Sequence, residues 1–341
     1  MILGLDIGGA NLKLATTSGI ARSRSFPLWQ RPDDLGQELR QFAADLPSSA
    51  VAVTMSGELA DGYASRQHGV AAIVESVQRA FASHPVVFWQ TAGEFVSAAD
   101  ATEFWPLTAA SNWHALATYA SRSVGEQGGL LIDCGTTTTD LIRLGPSVVL
   151  AEGLTDVERL ASGELAYTGV GRTPAAMLVD RCCVELADGR SLPVRPAAEL
   201  FATSGDAWTV AASDRTNWSG PTADGRSTSN ADCRRRLARQ FCCDIGDLAD
   251  AASGIAQQLV DAQVTAVCKA AKQLLGNIEP KVIVLAGSGR VLAEAVVMQI
   301  APEATVLDLA ELLTAAQSDA ACAFAVATLA TERLPQFAPN E

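Results

Sequence analysis

Ile2-Leu3-Gly4-Leu5-Asp6-Ile7-Gly8-Gly9-Ala10-Asn11-Leu12-Lys13-Leu14-Ala15-Thr16-Thr17 reads as strand, tight glycine turn, strand, because apolar residues alternate on both sides of the Gly8-Gly9 pair. The device returns downstream. Leu130-Leu131-Ile132-Asp133-Cys134-Gly135-Thr136-Thr137-Thr138-Thr139-Asp140-Leu141-Ile142-Arg143-Leu144 again predicts a strand, a Gly/Thr turn and a strand. Each first strand ends on an aspartate, Asp6 or Asp133. An Asp-x-Gly hairpin opening each half is a structural repeat too divergent to show as simple self-similarity.

Working outward from the first hairpin, a third strand is expected over 21–28. Leu35, Leu39, Phe42 and Leu46 give helical spacing over 33–46, with Pro47 closing the helix. Strands are expected over 51–55 and 86–89, and helices over 68–82 and 107–123. The glycine-rich run Gly125-Glu126-Gln127-Gly128-Gly129 then forms a flexible joint, dividing a unit of 1–125 from one of 126–317. After the second hairpin a strand over 148–151 is expected. The stretch 151–232, with many Gly, Pro and Arg, reads as irregular, part of an insertion at about 152–245 that carries specificity loops. A long helix over 249–275, a strand over 281–285, a Gly287-Ser288-Gly289 turn, a helix over 291–300, a strand over 305–307 and a closing helix over 315–334 complete the chain. Strands alternating with helices give an α/β class.

At 341 residues the chain suggests two domains, and 48% hydrophobic residues can fill sizeable cores. The formal net charge of -13, with no basic run, argues against a nucleic-acid partner. An acidic protein that binds phosphate must use backbone N–H groups, a few placed cations and a metal ion. The start has neither a basic region nor an apolar one of the signal-peptide kind. No run of 18 apolar residues occurs, so no membrane is expected and the cytoplasm is the expected compartment. Eight cysteines include two adjacent pairs, Cys182-Cys183 and Cys242-Cys243, and no CxxC, so buried, reduced, inert thiols are expected.

The chemistry lies in the hairpins. A turn of Gly and small hydroxyl residues lets a phosphate approach the backbone and offers it N–H and O–H donors. The first turn supplies Gly8, Gly9, Asn11 and Lys13; the second supplies Gly135, Thr136, Thr137, Thr138 and Asp140. Asp6 and Asp133, at strand ends, can hold Mg²⁺ that bridges phosphate oxygens. A third element, the apolar run 282–286 into Gly287-Ser288-Gly289 at a helix start, adds an anion-attracting turn.

These elements, in this order, resemble the phosphate-1, phosphate-2 and adenosine motifs of the actin-like ATPase/sugar-kinase superfamily. The resemblance implies two ribonuclease-H-like domains with a central cleft, the first braced by a returning C-terminal helix at 318–341. Further strings narrow it: Gly163-Glu164-Leu165-Ala166-Tyr167-Thr168-Gly169-Val170-Gly171-Arg172-Thr173-Pro174, the run 55–61, the run 109–115, and Thr222-Ala223-Asp224-Gly225 ahead of Arg236 and Arg239. With these the whole chain resembles hydantoinase/oxoprolinase-like proteins linked to tetrahydromethanopterin-dependent one-carbon metabolism, whose characterised relatives make methanofuran. Cys134 and Thr136 stand where that family leads one to expect Met and Ser.

The resemblance implies an Mg²⁺-dependent transfer of an aminomethylfuran methyl group from diphosphate to the phenol of a glutamylated tyramine, releasing pyrophosphate. Lys13 and Arg172 would steady the departing diphosphate. A carboxylate would take the phenol proton, with Asp140, Glu58 and Glu164 as candidates. Asn112, Trp113, Tyr167, Thr168 and Asp224 would line the substrate pocket. Partners are then small molecules, a furan diphosphate and a phenolic amine; a homodimer is left open.

Two other readings stand beside this one. An ATP-dependent kinase or ATPase keeps the fold and changes the reaction, with ATP as ligand. A non-catalytic nucleotide-binding regulator would do no chemistry, and Asp6 lies too near residue 1 for the helix-turn-helix such proteins often carry. Glu58 and Asp61 follow a strand end, where α/β proteins place ligand contacts, with surface carboxylates as the alternative reading. His68, His84 and His114 share no metal-ligand spacing, and His114 reads as a packing residue. Arg234, Arg235, Arg236 and Arg239 read as a solvated helix face more readily than as a site for an acidic acceptor.

Overall fold

Glycine turns and alternation build the first sheet. In the computed structural model, which describes residues 1–341 apart from 213, 214, 216, 217, 335 and 337–341, β1 (Ile2–Ile7) and β2 (Asn11–Thr16) pair antiparallel with Asp6 opposite Lys13. β3 (Ala21–Ser25) joins β2. After α1 (Leu35–Phe42), β4 (Ala50–Met55) runs parallel to β1, and after α2 (Arg66–Ala80), β5 (Val86–Trp89) runs parallel to β4. A short β6 (Phe95–Val96) closes the order β3-β2-β1-β4-β5-β6, and α3 (Ala98–Glu103), α4 (Trp105–Thr108) and α5 (Asn112–Ala120) follow.

The second half repeats the plan. β7 (Gly129–Cys134), β8 (Thr139–Gly145) and β9 (Val148–Val149) are antiparallel, with Asp133 opposite Asp140. Next come α6 (Asp156–Ser162), β10 (Leu165–Ala166), the hairpin of β11 (Cys182–Glu185) and β12 (Ser191–Val194), α7 (Ser204–Ala211), α8 (Asn230–Gln240) and α9 (Ser253–Leu275). β13 (Val282–Ala286), α10 (Arg290–Ile300) and β14 (Thr305–Asp308) then place two parallel strands beyond β7. α11 (Leu309–Leu312), α12 (Ala315–Asp319) and α13 (Ala321–Arg333) end the described chain. Both sheets thus carry three antiparallel strands continued by two parallel ones from the first, the ribonuclease-H-like layout expected from the sequence.

Each sheet buries both faces. Leu3, Leu5, Val51 and Val53 pack under Leu39, Phe42, Val70 and Ile73 of α1 and α2. In the second half Leu130, Ile132, Ile283 and Leu285 pack under the helices α7 to α10. Two helices fill the space between the sheets. Ala115 of α5 and Val326, Leu329 and Ala330 of α13 cover Ile2, Ala50 and Ala52. Trp113 and Leu116 of α5 with Cys322 and Ala325 of α13 cover Leu131, Ile142 and Val284. Gly4 is what lets α13 press onto β1, since a Cβ there would collide with the Ala323 carbonyl.

Several sequence expectations are corrected. The helix expected over 107–123 breaks at 109–111, where Ala110 takes φ +48° and Ser111 Oγ meets Thr54 Oγ1 at 3.0 Å. The break turns the chain toward β4 and starts α5 at Asn112. The long helix starts at Ser253, because Ala251 and Ala252 are left-handed. The closing helix is α12 and α13, separated at Ala320; of the segment 318–341, residues 335 and 337–341 lie outside the described residues. The stretch 151–232 is more ordered than its composition suggests. Its α6 starts with a full capping box of Thr155 and Glu158, and the Trp218 ring sits on Gly171 and Gly205, where any Cβ would strike it. Cys183 and Cys242 are exposed, not buried; all eight cysteines are free. Among the described residues no helix is long and apolar enough to cross a membrane.

Candidate active site

Both hairpin turns are held by their carbonyls, which leaves their amides open. In the first, the N–H of Phe26 donates to Ala10 O at 2.9 Å and that of Leu28 to Gly9 O at 3.0 Å. In the second, Val170 N–H donates to Gly135 O at 3.0 Å, and Gly171 and Arg172 N–H donate to Thr136 O at 3.0 and 2.8 Å. Gly169 makes that contact feasible, because a Cβ there would lie 2.5 Å from Gly135 O. Among the described residues, the N–H groups of Gly9, Ala10, Thr136, Thr137 and Thr138 donate to nothing, and all five residues are partly exposed. Converging free amides in a turn form an anion-binding concavity.

The charged groups behind the turns face one another. Burial pushes the Asp6 carboxyl up, against the pull of Lys13 opposite it. For Lys13, burial disfavours the charge, but Asp6, Cys322, Asp319 and Asp133 together outweigh it and its pKa is raised. Burial and then the charge of Asp140 push Asp133 up to about 7, while Lys13 and Arg159 favour its anion. Asp133 therefore senses both Asp6 and Lys13 of the other hairpin. Arg159, 1% exposed, donates from Nη2 to Asp140 Oδ1 at 2.6 Å and lies 3.9 Å over the Trp113 ring. Even so, burial keeps the Asp140 carboxyl raised.

Asp6 Oδ1 is buried and has no hydrogen-bond partner among the described residues, which suits a cation ligand. Among the described residues no three His, Cys, Asp or Glu side chains form a metal cage. Two strand-end carboxylates suit Mg²⁺, which takes few protein ligands and keeps several waters; they do not suit a structural zinc.

The third element also reaches this place. Gly289 N–H donates to Cys134 O at 2.7 Å, and a Cβ on Gly287 (φ +83°) would strike Cys134 O. Glycine is thus required to bring the Gly287-Ser288-Gly289 turn against the second hairpin, with Ser288 exposed. Arg172 is exposed beside the Thr136 turn. Asn112 starts α5, and the Nε1 of neighbouring Trp113 is buried with no partner among the described residues.

Other predicted residues have structural occupations. Glu164 accepts from Glu152 N–H at 2.7 Å, and from Gly153 N–H and Ser162 Oγ at 2.8 Å each, so both its oxygens are spent. Thr168 Oγ1 meets Thr173 Oγ1 at 2.8 Å and accepts from Gln263 at 2.8 Å. Asp224 accepts from Arg236 at 3.0 Å. Tyr167 is exposed. Arg236 belongs to no solvated face: it is buried, with Nη2 2.7 Å from Asp206. The cavities along α2, of about 580 and 240 Å³, lie away from both turns.

Sequence reading missed Arg66, Asp156 and Arg159. Arg66 Nη2 lies 3.4 Å from Glu58 Oε1 and 3.6 Å from Asp156 Oδ2, and Arg159 Nη1 lies 3.9 Å from Asp156. A chain of charge thus runs from Glu58 and Arg66 in the first half to Asp140 in the second. The capping signal Thr155-x-x-Glu158 announces α6, but only the tertiary fold turns Arg159 inward.

The description of the hydantoinase/oxoprolinase family matches residues 49–333. A relative from Methanocaldococcus jannaschii, named (4-{4-[2-(γ-L-glutamylamino)ethyl]phenoxymethyl}furan-2-yl)methanamine synthase, is 32% identical over 248 residues, 72% of this chain and 72% of its own. A relative of the same name from Methanococcus vannielii is 27% identical over 175 residues, 51% of this chain and 76% of its own. Among solved structures, a glucokinase of the ROK family from Streptomyces griseus, in complex with glucose and AMPPNP, aligns over 97% of this chain and 99% of its own at 14% identity and a TM-score of 0.48.

Proposed function

Since this chain belongs to the hydantoinase/oxoprolinase family, we propose that it is a transferase that joins an aminomethylfuran methyl diphosphate to the phenol of a glutamylated tyramine-type acceptor. Pyrophosphate leaves. The relatives' name describes such an ether, a phenol oxygen joined through a methylene to a furan. The reaction would serve methanofuran-type cofactor synthesis in tetrahydromethanopterin-linked one-carbon metabolism, in the cytoplasm.

The observation that carries this reading is the pair of facing turns whose amides are free. As the carbon–oxygen bond breaks, positive charge grows on a carbon that the furan ring stabilises, and negative charge grows on the diphosphate. The chain's task is to receive the latter with fixed donors. The Gly9 and Ala10 amides hold one end of the diphosphate, and the Thr136, Thr137 and Thr138 amides the other. Lys13 supplies a half-buried positive charge, and Arg172 a second at the rim. Asp6 and Asp133 would hold Mg²⁺, which when bound neutralises diphosphate oxygens.

The phenol oxygen bonds to the furan methylene while its proton passes to a carboxylate. Asp140 suits this step, because Arg159 fixes one oxygen and burial raises its affinity for a proton. Glu164 does not, its oxygens being fully engaged. Incubation with Mg²⁺, the furan diphosphate and a tyramine derivative tests the reading: the ether should form by mass spectrometry without ATP. ATP turnover at enzymatic rates with no ether would replace it with the kinase reading.

A further inference from the structure

Glu58 is a buried carboxylate that its own protein does not satisfy. It is 1% exposed; among the described residues Oε2 has no hydrogen-bond partner, and the side-chain donor to Oε1 is Arg66 at a long 3.4 Å. Arg66 is shared with Asp156 at 3.6 Å, so one guanidinium serves two carboxylates from a distance. The N–H groups of Glu58 itself and of Ala110 favour the anion without completing a bond to Oε2, and burial remains the larger influence, raising the carboxyl's pKa. Leaving a buried charge half-paired is costly unless a ligand completes it.

The backbone holds Glu58 in this position tightly. A Cβ on Gly69 would collide with the Glu58 carbonyl, and one on Gly57 would lie 3.1 Å from the backbone carbon of Gly8. The loop 56–58 therefore packs on the first phosphate turn, and Ser56 N–H donates to Ile7 O at 3.0 Å. A carboxylate short of a cation thus stands beside the turn that would hold the diphosphate, at the junction with the second half.

We propose that Glu58 binds the primary ammonium of the furan donor and selects amine-bearing donors, a role that rests on the transferase reading. The donor carries a diphosphate at one ring substituent and an ammonium at another. A site with amides for the first and a half-paired buried carboxylate for the second fixes the ring between them. Glu58 is then a specificity residue and not the acceptor of the phenol proton.

The test compares two donors, the aminomethylfuran methyl diphosphate and its analogue with methyl in place of aminomethyl. Calorimetry with Mg²⁺ measures binding, and ether formation measures turnover. Wild type should bind the amine donor at least about tenfold more tightly, as expected for one charge-assisted bond. Glu58→Gln, which keeps shape, should bind both alike, with KM for the amine donor raised and kcat at saturation little changed. Arg66→Gln, which removes the competing cation, should widen the preference. It serves as the second variant should Glu58→Gln fail to fold. Equal binding by wild type, or a preference that survives Glu58→Gln, overturns the proposal. A large fall in kcat with the preference intact would make Glu58 the base instead. Amine preference without ether formation by wild type would support the ammonium site while overturning the transferase reading.

Discussion

Gly9→Ala separates folding from ligand binding at the first turn. A Cβ at Gly9 meets no atom within 4 Å, and its φ is not in the left-handed region. Folding should therefore be unharmed, and removing glycine's freedom from the unfolded chain should stabilise by about 0.4–1 kcal/mol. The new methyl instead occupies the space through which a phosphate reaches the free Gly9 and Ala10 amides. Losing one charge-assisted hydrogen bond costs about 1.5–3 kcal/mol, a weakening of about 10- to 150-fold. Urea unfolding gives the stability, and calorimetry of pyrophosphate with Mg²⁺ gives the affinity. Gly4→Ala is the control in the other sense, since its Cβ collides with Ala323 O and should destabilise without touching the turn. Unchanged pyrophosphate affinity in a folded Gly9→Ala protein would refute the assignment of this turn to the ligand.

Three further outcomes follow from buried groups. Arg159→Met strands Asp140, and should cost about 3–5 kcal/mol in urea unfolding; a cost below about 1 kcal/mol would mean the pair matters little. Glu164→Gln should cost about 1–3 kcal/mol, since an amide replaces an acceptor facing two N–H groups; turnover per folded molecule should stay within about threefold, and a hundredfold loss would return Glu164 to the chemistry. Burial first, then Arg333 and Arg159, hold His114 down to about 4, below its unfolded value of about 6.5. The unfolded chain thus binds the extra proton, so this contribution is whole above about pH 6.5 and lost as pH falls toward 4. The gap of about 2.5 pH units corresponds to about 3 kcal/mol. Unfolding free energies of wild type and His114→Gln across that window should converge at the acid end, and parallel curves would contradict it.

The hairpins were legible because their causes are local: alternation makes the strands, and Gly8-Gly9 or Gly135-Thr136 makes the turn. Two sheets of one layout follow from that repeat. Tertiary causes were not legible. Ala110 leaves the helical region to bring α5 against β4, and nothing in the run Ala109-Ala110-Ser111 announces it. Glu58, Asp140 and Glu164 are alike in sequence as acidic residues near glycines. Only their neighbours distinguish a saturated carboxylate from one bound to Arg159 and one left with a free oxygen. Arg236 likewise sits in a basic run that reads as solvated, until Asp206, far away in sequence, is seen to pair with it.

The central claim is that the phosphates gripped between the hairpins belong to the substrate and leave together. Phosphorus NMR of a single turnover with Mg²⁺, the aminomethylfuran diphosphate and a phenolic amine tests it most directly. One pyrophosphate should appear per ether formed, with no nucleotide added. Ether formation that requires ATP and yields ADP or inorganic phosphate in step would contradict it.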